Sequence, residues 1–313
     1  MSGDRIETDA YKTNSEISEK LNSEDSYCYK PWQFADYKIN ACTLKTTYEE
    51  VGIWTLQQAM FRPGFKVEHG EVYIPNIFAK VSGVHEKLRQ YRKEMKVLKK
   101  QPNTLFFYSF PLYRARISKL TPKSYYSVLD ASGHIDKYKL INSTFWRYRN
   151  LRSSLQNIIA DRIVDFCELY RFKNYESWSN IAPKNNIMGS IEDLLKTFDI
   201  RINLTPEGFE AAKIRVFTIL NEIEEPLTKL ITKFDYPYYI PKVIVYNNGS
   251  SYSKVTFEDA VKLMFMSSMG IDVIIFNPSG YNDIEDYIRE KYYDIHRLEK
   301  VAFNLPYSSW TWF

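Results

Sequence analysis

Apolar and polar positions follow different periods along this chain, and each change of period marks a predicted element. Residues 1–26 carry no period. They are rich in Ser, Glu, Asp, Asn and Lys, with few large apolar groups to offset the entropy of ordering, and a disordered polar tail is expected. Order is expected from Tyr27, where aromatic residues become dense. A short strand is predicted through residues 41–44, then a helix over 48–60 carrying Val51, Trp54, Leu56 and Ala59. Thr47 and Glu50 stand in capping-box spacing before it, and Arg62-Pro63-Gly64 supplies a turn after it. Residues 65–68 and 71–74 flank His69-Gly70, the pattern of a two-residue hairpin. Residues 87–100 place Leu88, Tyr91, Met95 and Leu98 at helical spacing, and 104–110 is an apolar run of strand length. Further extended pieces are predicted near 125–129 and 138–141.

The middle of the chain reads as helical. Residues 145–172 carry Leu151, Leu155, Ile158, Ile159, Ile163, Phe166 and Leu169 near a 3.6 period. Thr205-Pro206-Glu207 has the form of a helix start, and Pro226 is expected to bend or interrupt that second long helix. The last unit begins after the two prolines of 234–241. Residues 242–246 form a β-branched strand, Thr256 opens a helix that Gly270 closes, and residues 271–276 are a second apolar strand. A tight loop, Asn277-Pro278-Ser279-Gly280, leads to a predicted helix carrying Ile284, Tyr287 and Ile288. The fold class is therefore α/β: a Rossmann-like parallel C-terminal βαβα unit, a mixed α+β N-terminal half and a helical middle. The boundaries expected on this reading are a tail at 1–26, an α+β domain at 27–143, a helical connection at 144–233 and the Rossmann-like unit at 234–313.

Composition narrows the partners. At 44% hydrophobic and 16% aromatic content, with 25 tyrosines, the chain can bury a sizeable core. The 42 basic and 38 acidic side chains leave only +4, which argues against a dedicated nucleic-acid binder, and the basic residues of 87–100 read as the solvated face of an amphipathic helix. The absence of an 18-residue apolar run and of an N-terminal apolar signal segment argues for a cytoplasmic protein without membrane insertion. Cys28, Cys42 and Cys167 are scattered, and His69, His85, His134 and His296 lack ligand spacing, so no metal is expected.

Loops after parallel strands meet helix N-termini, whose unpaired N–H groups attract anions. Two loops of this chain occupy such positions. Asn247 to Lys254 follows one strand; Asn277, Ser279, Gly280 and Asn282 follow the other. Ser279 is a donor, Gly280 permits close backbone approach, Asn282 is a cap or a ligand contact, and Lys254 adds positive charge. Ordinary turn chemistry explains Pro278-Ser279-Gly280 equally directly. Neither GxGxxG nor a Walker A pattern occurs, so no cofactor is assigned. Lys45, Arg62 and Lys80 are candidate charge-neutralising contacts if folding brings them to these loops. Downstream, Asp294 and Arg297 would pair on a helix, as would His296 and Glu299, making His296 and Asp294 candidate acid–base groups.

The strings Leu44-Lys45-Thr46-Thr47, Arg62-Pro63-Gly64-Phe65, Ile74-Pro75-Asn76-Ile77-Phe78-Ala79-Lys80-Val81-Ser82-Gly83-Val84 and Phe276-Asn277-Pro278-Ser279-Gly280-Tyr281-Asn282-Asp283-Ile284-Glu285 resemble the bacterial YceG-like proteins. The resemblance runs from about Tyr27 onward. It implies a cytosolic component of a biosynthetic module linked to tellurite and toxic-anion resistance, making or handling a nucleoside-like metabolite; it supplies no catalytic residues. Two function classes follow. One is an enzyme, best a transferase, that binds a phosphorylated or nucleotide-like small molecule; the other is a non-catalytic interaction subunit that docks proteins of the same stress-response gene cluster.

Overall fold

The computed structural model describes residues 38–114, 116–173, 206–234, 238–249 and 254–307. The expected tail, Cys28 and the Thr205 cap lie outside these residues. Eight strands form two sheets among them. In the smaller sheet, β1 (Lys38–Thr43) runs parallel to β3 (Glu71–Asn76), and β2 (Lys66–Glu68) pairs with β3 antiparallel, with Val67 opposite Val72. The β2–β3 connection is the predicted hairpin. His69 and Gly70 both adopt positive φ, +48° and +78°, the mirror-image turn whose twist matches paired strands.

The larger sheet has five strands in the order β5 (Thr104–Phe107), β6 (Lys242–Tyr246), β7 (Asp272–Asn277), β4 (Phe78–Ser82) and β8 (Asp294–Arg297). All four pairings are parallel. Two of its strands come from before residue 143 and three from after residue 233, so one sheet draws on both expected domains. Only Ile77 separates β3 from β4, and the chain passes from one sheet to the other across it.

The central strands β6, β7 and β4 are buried on both faces, which is why β6 and β7 read as nearly continuous apolar runs rather than alternating ones. Phe78, Val243, Val245, Val273 and Ile275 point to one face. There they meet α5 (Ser153–Phe166), α6 (Pro206–Asn221), α7 (Glu225–Thr232) and α8 (Phe257–Ser268). Ala79, Val81, Ile244, Tyr246, Ile274 and Phe276 point to the other, under α1 (Tyr48–Leu56) and α2 (Leu88–Lys99). Full burial of each such Val, Ile or Phe contributes roughly 1.5–3 kcal/mol, so this sheet carries the core. Local signals start the flanking helices. Thr47 and Glu50 close a capping box on α1, Thr256 and Asp259 close another on α8, and Gly270 ends α8 at φ +86°. Pro226 sits in the first turn of α7 rather than inside a longer helix.

Four predicted elements differ. The stretches near 125–129 and 138–141, expected to be extended, hold short helices, α3 (Pro122–Tyr126) and α4 (Lys137–Asn142). Thr121 with Pro122 opens the first, and Asp136, accepting from the amides of Tyr138 and Lys139, opens the second; these local caps outweigh the aromatic and β-branched content. The helix expected after Gly280 is a 3-10 turn, Ile284–Asp286. Its place is taken by a loop whose backbone and carboxylates are held by other strands. The segment from Asp294 is strand β8, not a helix, because its side chains alternate between the two faces of the sheet beside β4.

Where the two sheets meet, Arg62 forms a bidentate pair with Asp272, both N···O distances 2.7 Å and both side chains without solvent exposure. Asp272 also accepts the Ile77 amide, and Arg62 donates to the Pro75 carbonyl. Lys242 is buried nearby and donates to the Ile240 carbonyl at 2.7 Å. Burial lowers its pKa from 10.5 to about 8, with Asp272 opposing and Arg62 assisting. A depressed lysine favours the folded state above its unfolded pKa and loses that contribution as pH falls through the folded value. Lys242→Met is therefore expected to be more stable than the unsubstituted protein at pH 7. The gap should close by roughly 1.4 kcal/mol per pH unit at its steepest, between pH 8 and 10. Urea unfolding of both proteins across that range checks this; a gap independent of pH would show that Lys242 does not titrate there.

Candidate functional site at the carboxyl edge of the sheet

The chain leaves β4 toward α2 on one face of the sheet, whereas it leaves β6 and β7 toward the opposite face, where α8, Ile284 and Ile288 pack. β4 and β7 are neighbours, so the direction of connection reverses between them. At such a reversal the outgoing loops diverge and leave a crevice beyond the strand ends. The loops that diverge here are 83–87 and 277–283.

A buried polar network underlies this point. Asn277, the last residue of β7, donates to the Tyr281 carbonyl at 2.9 Å and to Asp283 Oδ2 at 2.6 Å. Asn247, just past β6, donates to the same Asp283 oxygen at 3.1 Å. Lys80 reaches from β4 to Asp283 at 3.1 Å, to Glu285 at 2.6 Å and to the Tyr281 carbonyl at 2.8 Å. Side chains from three adjacent strands thus converge on one carboxylate. Glu285 also accepts the Asp283 amide, at 2.9 Å. Burial pushes the Asp283 carboxyl above the ordinary carboxylate range, against the pull of Lys80. Burial acts upward on Glu285 as well, but there Lys80 outweighs it and the carboxyl lies below its usual value.

The neighbouring loops are fitted to each other. Ser279 and the Gly280 amide both donate to Asn277 Oδ1, at 2.7 and 3.2 Å. Gly249 adopts φ +71°, and a β-carbon there would lie 2.2 Å from the Ser279 hydroxyl oxygen, so only glycine allows the two loops to meet. Above them stand two exposed rings, Tyr281 and Phe303, with centroids 5.3 Å apart. Asn282 and Lys254 are exposed on the same two loops.

Of the residues singled out in the sequence, the structure brings Asn247, Asn277, Ser279, Gly280 and Lys80 together and leaves Asn282 and Lys254 exposed to solvent. It does not bring Arg62, Lys45, Asp294 or His296 to them, and the expected joint site with Ser279 is corrected accordingly. Arg62 is held by Asp272, the first residue of β7, whereas Ser279 lies beyond its last; at about 3.3 Å per residue they occupy opposite edges of the sheet. Lys45 pairs with Asp294 at 2.7 Å, Asp294 also accepts the Thr46 amide at 2.9 Å, and His296 Nε2 lies 3.2 Å from the Thr46 hydroxyl. These groups share the face of Ala79 and Val81, so the sheet stands between them and Lys80. Burial lowers the His296 pKa, opposed by Asp294. The helical pairings expected of Asp294 with Arg297 and of His296 with Glu299 are likewise replaced: Glu299 lies 3.3 Å from His85.

Asp283, Glu285, Tyr281 and Phe303 were not singled out as site residues from sequence. The available signal was Asp283 and Glu285 flanking Ile284 directly after the Asn277 turn, an arrangement that a helix start also explains. Among the described residues, no group of three or more His, Cys, Asp or Glu is arranged to hold a metal ion, and no helix is long and apolar enough to cross a membrane.

No solved structure matches the chain. The uncharacterized protein YceG of Bacillus subtilis (strain 168) is 34% identical over 304 residues, an alignment that covers 97% of this chain and 51% of that protein. The chain therefore spans about half the length of this relative. The pattern of the YceG domain matches residues 45–306, from Lys45 beside Asp294 through the β4–β7 reversal to the segment bearing Phe303, and the chain belongs to the YceG domain family.

Proposed function

We propose that this chain is a Rossmann-like unit that binds a phosphorylated or nucleotide-like small molecule at the carboxyl edge of its parallel sheet. The observation that carries this reading is the exposed Tyr281–Phe303 ring pair beside the β4–β7 reversal, in which Tyr281 stands on a loop fixed by Asn247, Asn277, Asp283 and Lys80 and Phe303 on the segment after β8. Exposed rings offer a stacking surface to a planar base, and the exposed Lys254 and Asn282, on the chain after β6 and β7, offer a charge and hydrogen bonds to phosphate. A transferase suits such a crevice, since orienting two bound reactants accounts for much of the rate of group transfer. Family membership supports a bacterial setting, and the proposed role is that of a cytoplasmic component of a biosynthetic module in tellurite and toxic-anion resistance.

A second reading has its own support. Tyr281, Val301 and Phe303 together expose an apolar patch, and such a patch also suits a non-catalytic subunit that docks a protein of the same gene cluster. One measurement separates the two. A nucleotide or sugar nucleotide at a hundred times its Kd is expected to raise the thermal midpoint of the purified chain by about 5 °C or more, and Tyr281→Ala to abolish the shift. If no member of a broad panel moves the midpoint, the small-molecule reading fails and the docking subunit stands.

A further inference from the structure

Helix α2 turns Tyr91, Met95 and Leu98 into the core and carries exposed Lys87, Arg89, Gln90, Lys93, Lys96 and Lys100 along or beside its outer face. Residues 87–100 hold seven cations against one anion, a local +6 in a chain whose total is +4, so the remainder sums to −2. The near-balance of the whole sequence therefore conceals a concentrated basic surface. Arg89, Lys93, Lys96 and Lys100 follow the i, i+4, i+7, i+11 spacing of one helical stripe about 16 Å long. Among the described residues, no ion pair within 4.0 Å involves Lys87, Arg89, Lys93 or Lys100, although ion pairs occur elsewhere on the surface.

Helix stability does not explain the pattern. Cations in the last turn, Lys96 and Lys99, complement the negative end of the helix dipole, but Lys87 and Arg89 oppose the positive end. Helices α1 and α8 place acids in their first turns and close capping boxes; α2 has no acid there and no side-chain cap. At the other end of α2 lies a cluster of rings. Lys99 Nζ sits 5.1, 4.8 and 5.0 Å from the ring centroids of Phe106, Tyr108 and Tyr307, and Tyr108 is half exposed. The Lys99–Tyr108 hydrogen bond, 2.6 Å, holds that ring at the end of the basic stripe.

We propose that this face binds single-stranded nucleic acid, with the α2 cations on successive phosphates and Tyr108 as a platform for an unpaired base. A row of cations ending on an aromatic ring is the combination that recognises a strand with accessible bases. A membrane surface is disfavoured, because the exposed positions of α2 carry no apolar group to insert. An acidic protein would use the cations but has no need of the ring.

The test is fluorescence anisotropy of the full chain with a labelled twelve-nucleotide single strand, from 50 to 200 mM salt. Binding is expected to fall with a log–log slope of about −2 to −3, since each neutralised phosphate contributes about −0.7. Joint replacement of Lys87, Arg89, Lys93 and Lys100 by Gln should flatten the slope and weaken binding at least tenfold. Tyr108→Ala should weaken binding about tenfold with the slope unchanged. Absence of binding at 50 mM salt overturns the proposal, as does equal competition by polyglutamate or by a duplex of the same sequence. An unaltered affinity in Tyr108→Ala also overturns it, whatever the fate of the fourfold variant.

Discussion

Asp272→Ala is expected to lower the unfolding free energy by about 3–5 kcal/mol, read as a fall in the urea midpoint at unchanged m-value. The carboxylate accepts hydrogen bonds from both guanidinium nitrogens of Arg62 and from the Ile77 amide, and its charge favours the protonated form of the buried Lys242. Its removal leaves two cations and an amide in a site without solvent. Desolvation of the orphaned partners dominates the cost, not the attraction lost. The double variant Arg62→Met with Asp272→Ala should therefore recover part of the loss, since it removes one stranded charge along with its partner. The site also joins the two sheets at Ile77, so the effect should appear as loss of global stability rather than local fraying. A deficit below 1 kcal/mol in Asp272→Ala would contradict this account.

Lys80→Met should destabilise the protein by a similar amount at pH 7, and markedly less at pH 5. The substitution keeps most of the stem volume and strands Asp283 and Glu285 beneath the loop. Without the ammonium, burial raises the Asp283 carboxyl further above its unfolded value, and Glu285 loses the pull that holds its carboxyl below the usual range and is raised by burial in turn. A carboxyl whose folded pKa is raised stabilises the fold below its unfolded pKa and loses that contribution as pH rises through the folded value. The variant is therefore penalised at pH 7 and relieved as the carboxylates take up protons on acidification. Urea curves at both pH values decide the matter; equal deficits at pH 5 and 7 would show that the cost is lost packing alone. If the proposed ligand site is real, the variant should also lose its ligand-induced thermal shift, because Lys80 holds the Tyr281 carbonyl that positions the exposed ring.

The elements most legible in sequence were those governed by their own residues. The capping boxes at Thr47 and Thr256, the His69-Gly70 turn, the apolar spacing of α2 and the β-branched run of β6 each report a local cause. The segments that misled were those in which a distant partner outweighed the local pattern. Ile284, Tyr287 and Ile288 have helical spacing, but Asn277 and Lys80 hold the backbone of that loop in another shape. Asp294 and Arg297 also stand at helical separation, yet four consecutive residues there find β4 as a neighbour and take up the period of a strand.

The candidate site divides in the same way. Asn277, Ser279, Gly280 and Asn247 were legible because loops after parallel strands are where backbone donors and ligands meet. The assignment of cations was not. Arg62, Lys45 and Lys80 are equally plain as charges in sequence, and only the order of strands decides which of them reaches the loop. By itself, the sequence determined a parallel α/β chain with a polar turn after its most apolar strand, since burial on both faces demands continuous apolar runs and turns demand particular residues. The tertiary structure alone decided that β4 inserts between β7 and β8, that Lys80 meets Asp283 while Arg62 meets Asp272, and that Tyr281 and Phe303 stand together. Arg62 and Asp272 stand 210 positions apart, and such long-range pairing is chosen by the packing of the whole core, which no local period records.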